Sequence, residues 1–95
     1  MDIKDSYRMV IVTVPGETLV MANLADAYLV GAQLAFNDLA MADMRGANFE
    51  GANLTGADMR GAWLQNANLA GAEMLWANLC GAIIDDGDGK IYILK

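Results

Sequence analysis

Residues 42 to 71 read ADMRG ANFEG ANLTG ADMRG AWLQN ANLAG. Written in fives, the stretch shows alanine first, asparagine or aspartate second in most blocks, and a large apolar residue third. The frame extends in both directions without a break. From Glu17 to Asp86 the chain divides into fourteen such blocks. The third position runs from Leu19 through Leu54 and Leu69 to Ile84 and is apolar throughout. Alanine holds the first position in twelve of the fourteen, Glu17 and Asn37 being the exceptions. The second position serves as a control: eight are Asn or Asp, and only Tyr28, Trp63 and Ile83 are apolar. General hydrophobicity therefore does not account for the third column.

A period of five fits neither regular element. On an α-helix five residues turn the chain by about 500°, so successive leucines scatter around the axis. On a flat strand five is odd, and successive leucines would alternate faces. The pattern becomes consistent if the chain bends once per block. Positions one and three then point inward and the rest point out. Glycine in many fifth positions, among them Gly46, Gly51 and Gly56, suits a bend that needs positive φ. Bulky or polar residues fill the other fifth positions, so positive φ is not expected at every corner. Each inward leucine contributes roughly 1.5–3 kcal/mol on burial. This opposes backbone ordering of about 1–2 kcal/mol per residue.

The repeat implies three segments. Residues 1–16 form an N-terminal cap, with a strand over Tyr7 to Val14 closed by the turn at Pro15 and Gly16. Residues 17–86 form the repeat body. Residues 87–95 form a C-terminal cap, in which Ile91 to Leu94 read as a short strand. Open solenoid ends expose unpaired strand edges, so an incomplete cap is expected to stack on a second copy as an end-to-end homodimer.

Apolar residues make up 56% of the chain, yet no run approaches the roughly 20 residues of a membrane helix. No membrane association is expected. The net charge of −6 opposes direct nucleic-acid binding, which depends on Lys and Arg neutralising phosphate. Cys80 is the only cysteine, so no internal disulfide forms; a reducing, cytoplasmic location is expected. There is no histidine, which removes the commonest general base and metal ligand. The run from Asp85 to Gly89 lacks the spaced acids of a calcium loop and reads as a tight turn. No cofactor or metal site is expected. Neither is an enzyme active site, since Leu and Met fill the interior and leave no substrate cavity.

The A-(N/D)-L-x-x pattern resembles the pentapeptide-repeat family over about seventy residues. The resemblance implies an all-β fold, a right-handed quadrilateral β-helix. Four blocks would make one square coil, giving about three and a half coils here with short capping strands. Residues twenty apart would then stack in columns. Two candidate surfaces follow. One is an outward apolar patch of Phe36, Met41, Leu75 and Trp76, suited to an unidentified protein partner. The other is an acidic surface of Asp26, Asp38, Asp43 and Asp58. Trp63 and Tyr28 read as isolated outward aromatics. Some members of the family resemble duplex DNA in shape and charge and bind type II topoisomerases such as DNA gyrase. The resemblance thus implies two functions, a non-catalytic protein-interaction or structural module and an acidic DNA mimic.

Overall fold

The computed structural model describes all 95 residues, and from Met21 to Gly81 its backbone turns a corner every five residues. The carbonyl of each third residue accepts a hydrogen bond from the amide of the next block's first residue, as in Ala57 to Leu54 at 3.0 Å. This closes a four-residue β-turn whose third place is the fifth residue of the block. A type II turn requires positive φ there. Every fifth residue from Met21 to Gly81 has it. The expectation of other geometry at the non-glycine corners is therefore corrected. Met21, Asp26, Phe36, Met41, Asn66 and Trp76 adopt φ between 57° and 64°. The inter-coil ladder requires the same corner each time, whatever residue stands in it.

The ladder joins residues twenty apart. Asn23 pairs with Asp43, Asp43 with Trp63 and Trp63 with Ile83, all in parallel. One coil therefore takes four blocks. The coils stack into a right-handed quadrilateral β-helix, and the chain contains no helical segment. Three hydrogen bonds recur on each wall. The third amide reaches the second carbonyl of the following coil, as in Leu24 to Asp43 at 2.7 Å. The following coil's second amide returns to the first carbonyl, as in Asp43 to Ala22 at 2.9 Å. The fifth amide reaches the fourth carbonyl, as in Phe36 to Thr55 at 2.8 Å.

The second-position Asn and Asp have a role that water exposure does not explain. Each of the eight accepts the amide of the residue two further on, from Asn23 to Asn78. Such a bond satisfies a backbone donor at the corner that the ladder leaves free. Asn and Asp serve equally, because either side chain supplies the oxygen.

The interior is a column of third-position side chains lined by first-position alanines. Leu39, Met44, Phe49, Leu54 and Met59 are fully buried, as are Ala42, Ala47, Ala52, Ala57 and Ala62. Alanine's small side chain lets the neighbouring wall approach, and the long side chains fill the centre.

The N-terminal cap is a hairpin rather than one strand over Tyr7 to Val14. Strand β1 (Asp2–Lys4) pairs antiparallel with β2 (Val10–Thr13). Its Ile3 is buried against the first coil, and the Lys4 carbonyl accepts the Gln33 amide at 2.8 Å. The three-residue β1 carries too short a pattern to stand out in the sequence. At the other end β3 (Ile83–Asp85) pairs antiparallel with β4 (Ile91–Ile93).

Candidate functional site

The outward side chains stand on four corners and four walls, and residues twenty apart share a place. Gly31, Gly51 and Gly71 make one bare corner. Phe36, Gly56 and Trp76 make the next. Met21, Met41, Gly61 and Gly81 make the third, and Asp26, Gly46, Asn66 and Asp86 the fourth. Phe36 and Trp76 are 72% and 75% exposed. The Phe36 ring lies in the space over Gly56, where a Cβ would overlap it. Leu75 directly precedes Trp76, and its carbonyl accepts the Gly56 amide at 2.8 Å.

Phe36, Leu75 and Trp76 thus share a corner, and Met41 stands on the next one. The wall between them carries Asp38 and Asp58, paired across neighbouring coils. An acidic column therefore runs between two apolar edges. Beyond the Met41 corner, Asp43 lies on the following wall and Asp26 on the corner at its far end.

Trp63 is not isolated. With Met21, Asn23, Met41, Asp43 and Gly61 it lines a cleft of about 370 Å³ at the methionine corner. The Arg45 guanidinium stacks on the Trp63 ring, 4.7 Å from its centre. This group was hidden in the sequence because Trp63 and Met41 are 22 positions apart. A coil length of twenty is the signal that brings them together.

Two of the four candidate acids are neutralised locally. Arg45 pairs with Asp43 at 2.7 Å, and Arg60 pairs with Asp58 at 2.7 Å. Both guanidiniums grip their carboxylate through Nε and a terminal nitrogen. These hydrogen bonds hold Asp43 and Asp58 below the usual carboxylate range. The same bonds push both arginines up. The repeated ADMRG block writes this pair twice: the carboxylate caps the corner amide and also holds an arginine. Asp26 and Asp38 have no ion-pair partner.

The fold and its decorated corners define the class: a solenoid of five-residue repeats with a sealed apolar column and freely varied outward positions. The chain belongs to the pentapeptide-repeat family, whose model, described as pentapeptide repeats, matches residues 22–51 and 47–86 in 8 copies. Two solved structures are similar. One is HetL, a pentapeptide repeat protein involved in heterocyst differentiation regulation from the cyanobacterium Nostoc sp. strain PCC 7120. It is 39% identical, with a TM-score of 0.67 over 76% of this chain and 33% of HetL. The other is the pentapeptide repeat protein Rfr23 from the cyanobacterium Cyanothece 51142. It is 33% identical, with a TM-score of 0.58 over 67% of this chain and 40% of Rfr23. The chain spans about a third of the length of HetL and two-fifths of that of Rfr23. None of the curated proteins matches the sequence.

Proposed function

We propose that this protein is a non-catalytic interaction module that binds a protein partner on the Asp38–Asp58 wall and its two apolar edges. One observation carries the reading. Phe36, Trp76, Met21 and Met41 hold a left-handed backbone that costs an L-residue about 1–2 kcal/mol and glycine almost nothing. Their side chains nevertheless face solvent. A large apolar side chain kept at a strained, exposed position is maintained for something other than the fold.

The partner's chemistry follows from the surface. The repeat body carries nine acids and two arginines, and both arginines are committed to aspartates. Asp38 is left to meet a cation. A complementary segment presents Lys or Arg to that acid and apolar side chains to the edges on either side. The DNA-mimic reading receives less support. Asp43 and Asp58 are matched by arginine, and their corner bonds are the ones that asparagine makes elsewhere.

Retention of proteins from source-cell lysate on the immobilised chain tests the proposal with two double variants. Phe36→Gly with Trp76→Gly should keep the fold and weaken retention of a specific partner at least about tenfold, as expected of aromatic anchors. Asp26→Asn with Asp43→Asn, both off that wall, should keep the Asp43 corner bond and retain the partner. Unchanged retention by the glycine variant would defeat the reading. So would a topoisomerase partner lost only with the asparagine variant, which points to polyanion imitation.

A further inference from the structure

The methionine corner offers sulfur as well as apolar surface. The Met21 amide bonds to the Ala40 carbonyl at 2.9 Å, which sets Met21 and Met41 on one column, a single coil apart. Both are exposed, and both have φ of 59°. Side chains at these corners lean along the column towards the following coil. The Met41 Cγ lies 3.3 Å from the place of a Cβ on Gly61, and the Phe36 ring stands over Gly56 in the same way. The same lean carries Met21 over Met41. Two parallel side chains one coil apart hold their sulfurs at the strand spacing of about 4.8 Å. A metal–sulfur bond is about 2.3 Å, so an ion in line between two sulfurs needs them about 4.6 Å apart. Trp63 lines the same cleft as the two methionines. Arg45 stacks on its ring from outside that cleft, so part of the indole stays open to them.

We propose that Met21, Met41 and Trp63 form a binding site for a soft monovalent metal ion of the copper(I) class. Thioether sulfur favours such ions, and a cation beside an indole face gains further attraction. Hard ions find little to bind, because the side-chain oxygens of the cleft are already committed. Both Asp43 oxygens accept from Arg45, and Asn23 Oδ1 accepts the Ala25 amide at 3.3 Å. The Asp43–Arg45 pair is neutral as a unit, and the repeat body around it is acidic, so a cation is drawn to the corner. The fold does not need sulfur there. Gly61 and Gly81 occupy the same column with the same left-handed backbone. The other methionines of the repeat body, Met44, Met59 and Met74, are inward third-position side chains of the apolar column. The expectation of no metal site rested on histidine, cysteine and carboxylates; the two thioethers meet only because one coil takes twenty residues.

Titration of the full chain with silver nitrate, a redox-stable stand-in for copper(I), tests the site by NMR of carbon-13 labelled methionine methyls. The chain carries Cys80→Ser, because the exposed thiol would compete for the ion. The Met21 and Met41 signals should shift together and saturate at one ion per chain, while those of the buried Met44 and Met59 stay in place. Copper(I) added without oxygen should move the same two signals, and magnesium should move neither. Met21→Leu and Met41→Leu keep size and apolarity. Each should weaken silver binding at least about tenfold, since groups one step removed from a metal already cost about 10–100-fold. Trp63→Leu should weaken it about two- to fivefold, the worth of an exposed cation–π contact. Leucine leaves the apolar edge intact, so retention of a protein partner should not change, and this proposal and the function proposed above fail separately. Methionine signals that stay still at one equivalent of silver would overturn the site. So would either leucine variant binding silver as tightly as its parent, since the two sulfurs would then not share an ion.

Discussion

The corner of Gly31, Gly51 and Gly71 and the corner of Phe36, Gly56 and Trp76 have the same backbone and opposite surfaces. All six residues have φ between 60° and 69°. The first corner gains its conformation without strain and presents backbone to solvent. The second reaches the same place with two bulky side chains and presents an aromatic edge. The ladder therefore dictates the bend, and the fifth residue only decides how much strain the bend contains. Where strain persists with an exposed ring, the ring is not there to make the corner.

The largest expected effect tests whether the frame beneath the two corners is the same. Phe49 precedes the bare corner at Gly51, and Leu54 precedes the aromatic one at Gly56; both are fully buried. Phe49→Ala should cost about 3–5 kcal/mol and Leu54→Ala about 2–5 kcal/mol, read by denaturant unfolding. A Leu54 variant that loses almost nothing would mean that the aromatic corner rests on a looser core.

The next test separates strain from crowding. A Cβ at Gly51 meets open space, so Gly51→Ala should lose only the left-handed preference, about 1 kcal/mol. Gly56→Ala adds an overlap with the Phe36 ring and should cost about twice as much. In a Phe36→Gly background that excess should vanish. If it remains, the ring is not the obstacle and the two corners differ in backbone after all.

Phe36→Gly alone should stabilise the protein by about 1 kcal/mol, a rise of roughly 4–8 °C in Tm for a domain of this size. This is the sharpest form of the comparison, because it converts the aromatic corner into the bare one. A fall in Tm would show that the ring contributes more by packing over Gly56 than it loses in strain.

The inward column and the corner once per block were legible in the sequence, because a period of five leaves the chain no other way to bury every third residue. The left-handed state of Phe36, Met41 and Trp76 was not legible. Residue type alone argues against it, and only the inter-coil bonds enforce it. The hairpin β1–β2 was half legible: Val10 to Thr13 carry a strand pattern, and Asp2 to Lys4 do not. The candidate surfaces separated for the same reason. Phe36, Leu75 and Trp76 lie near multiples of twenty from each other, and Met41 is one corner on. Trp63 gained its neighbours, and Asp43 and Asp58 their arginines, from geometry that no local reading of hydropathy contains.

The smallest expected effect concerns those arginines and sets the two walls that carry ion pairs against the bare corner, which has none. Asp43 and Asp58 have folded pKa values below the unfolded one, because a guanidinium is hydrogen-bonded to the charged form. Their contribution is complete above the unfolded value of about 3.9 and is lost as pH falls through the lower folded value. The arginines remain charged across this window, so the sign belongs to the carboxylates alone. Tm should therefore decline on acidification below about pH 4, and the decline should be shallower in Asp43→Asn with Asp58→Asn. Both pairs face solvent, so the difference should be well below the other three effects and should shrink in added salt. The asparagines still cap their corner amides, as Asn48 and Asn53 do at theirs. Loss of stability at neutral pH beyond that small difference would mean that the carboxylate charge, and not only its oxygen, holds the corner.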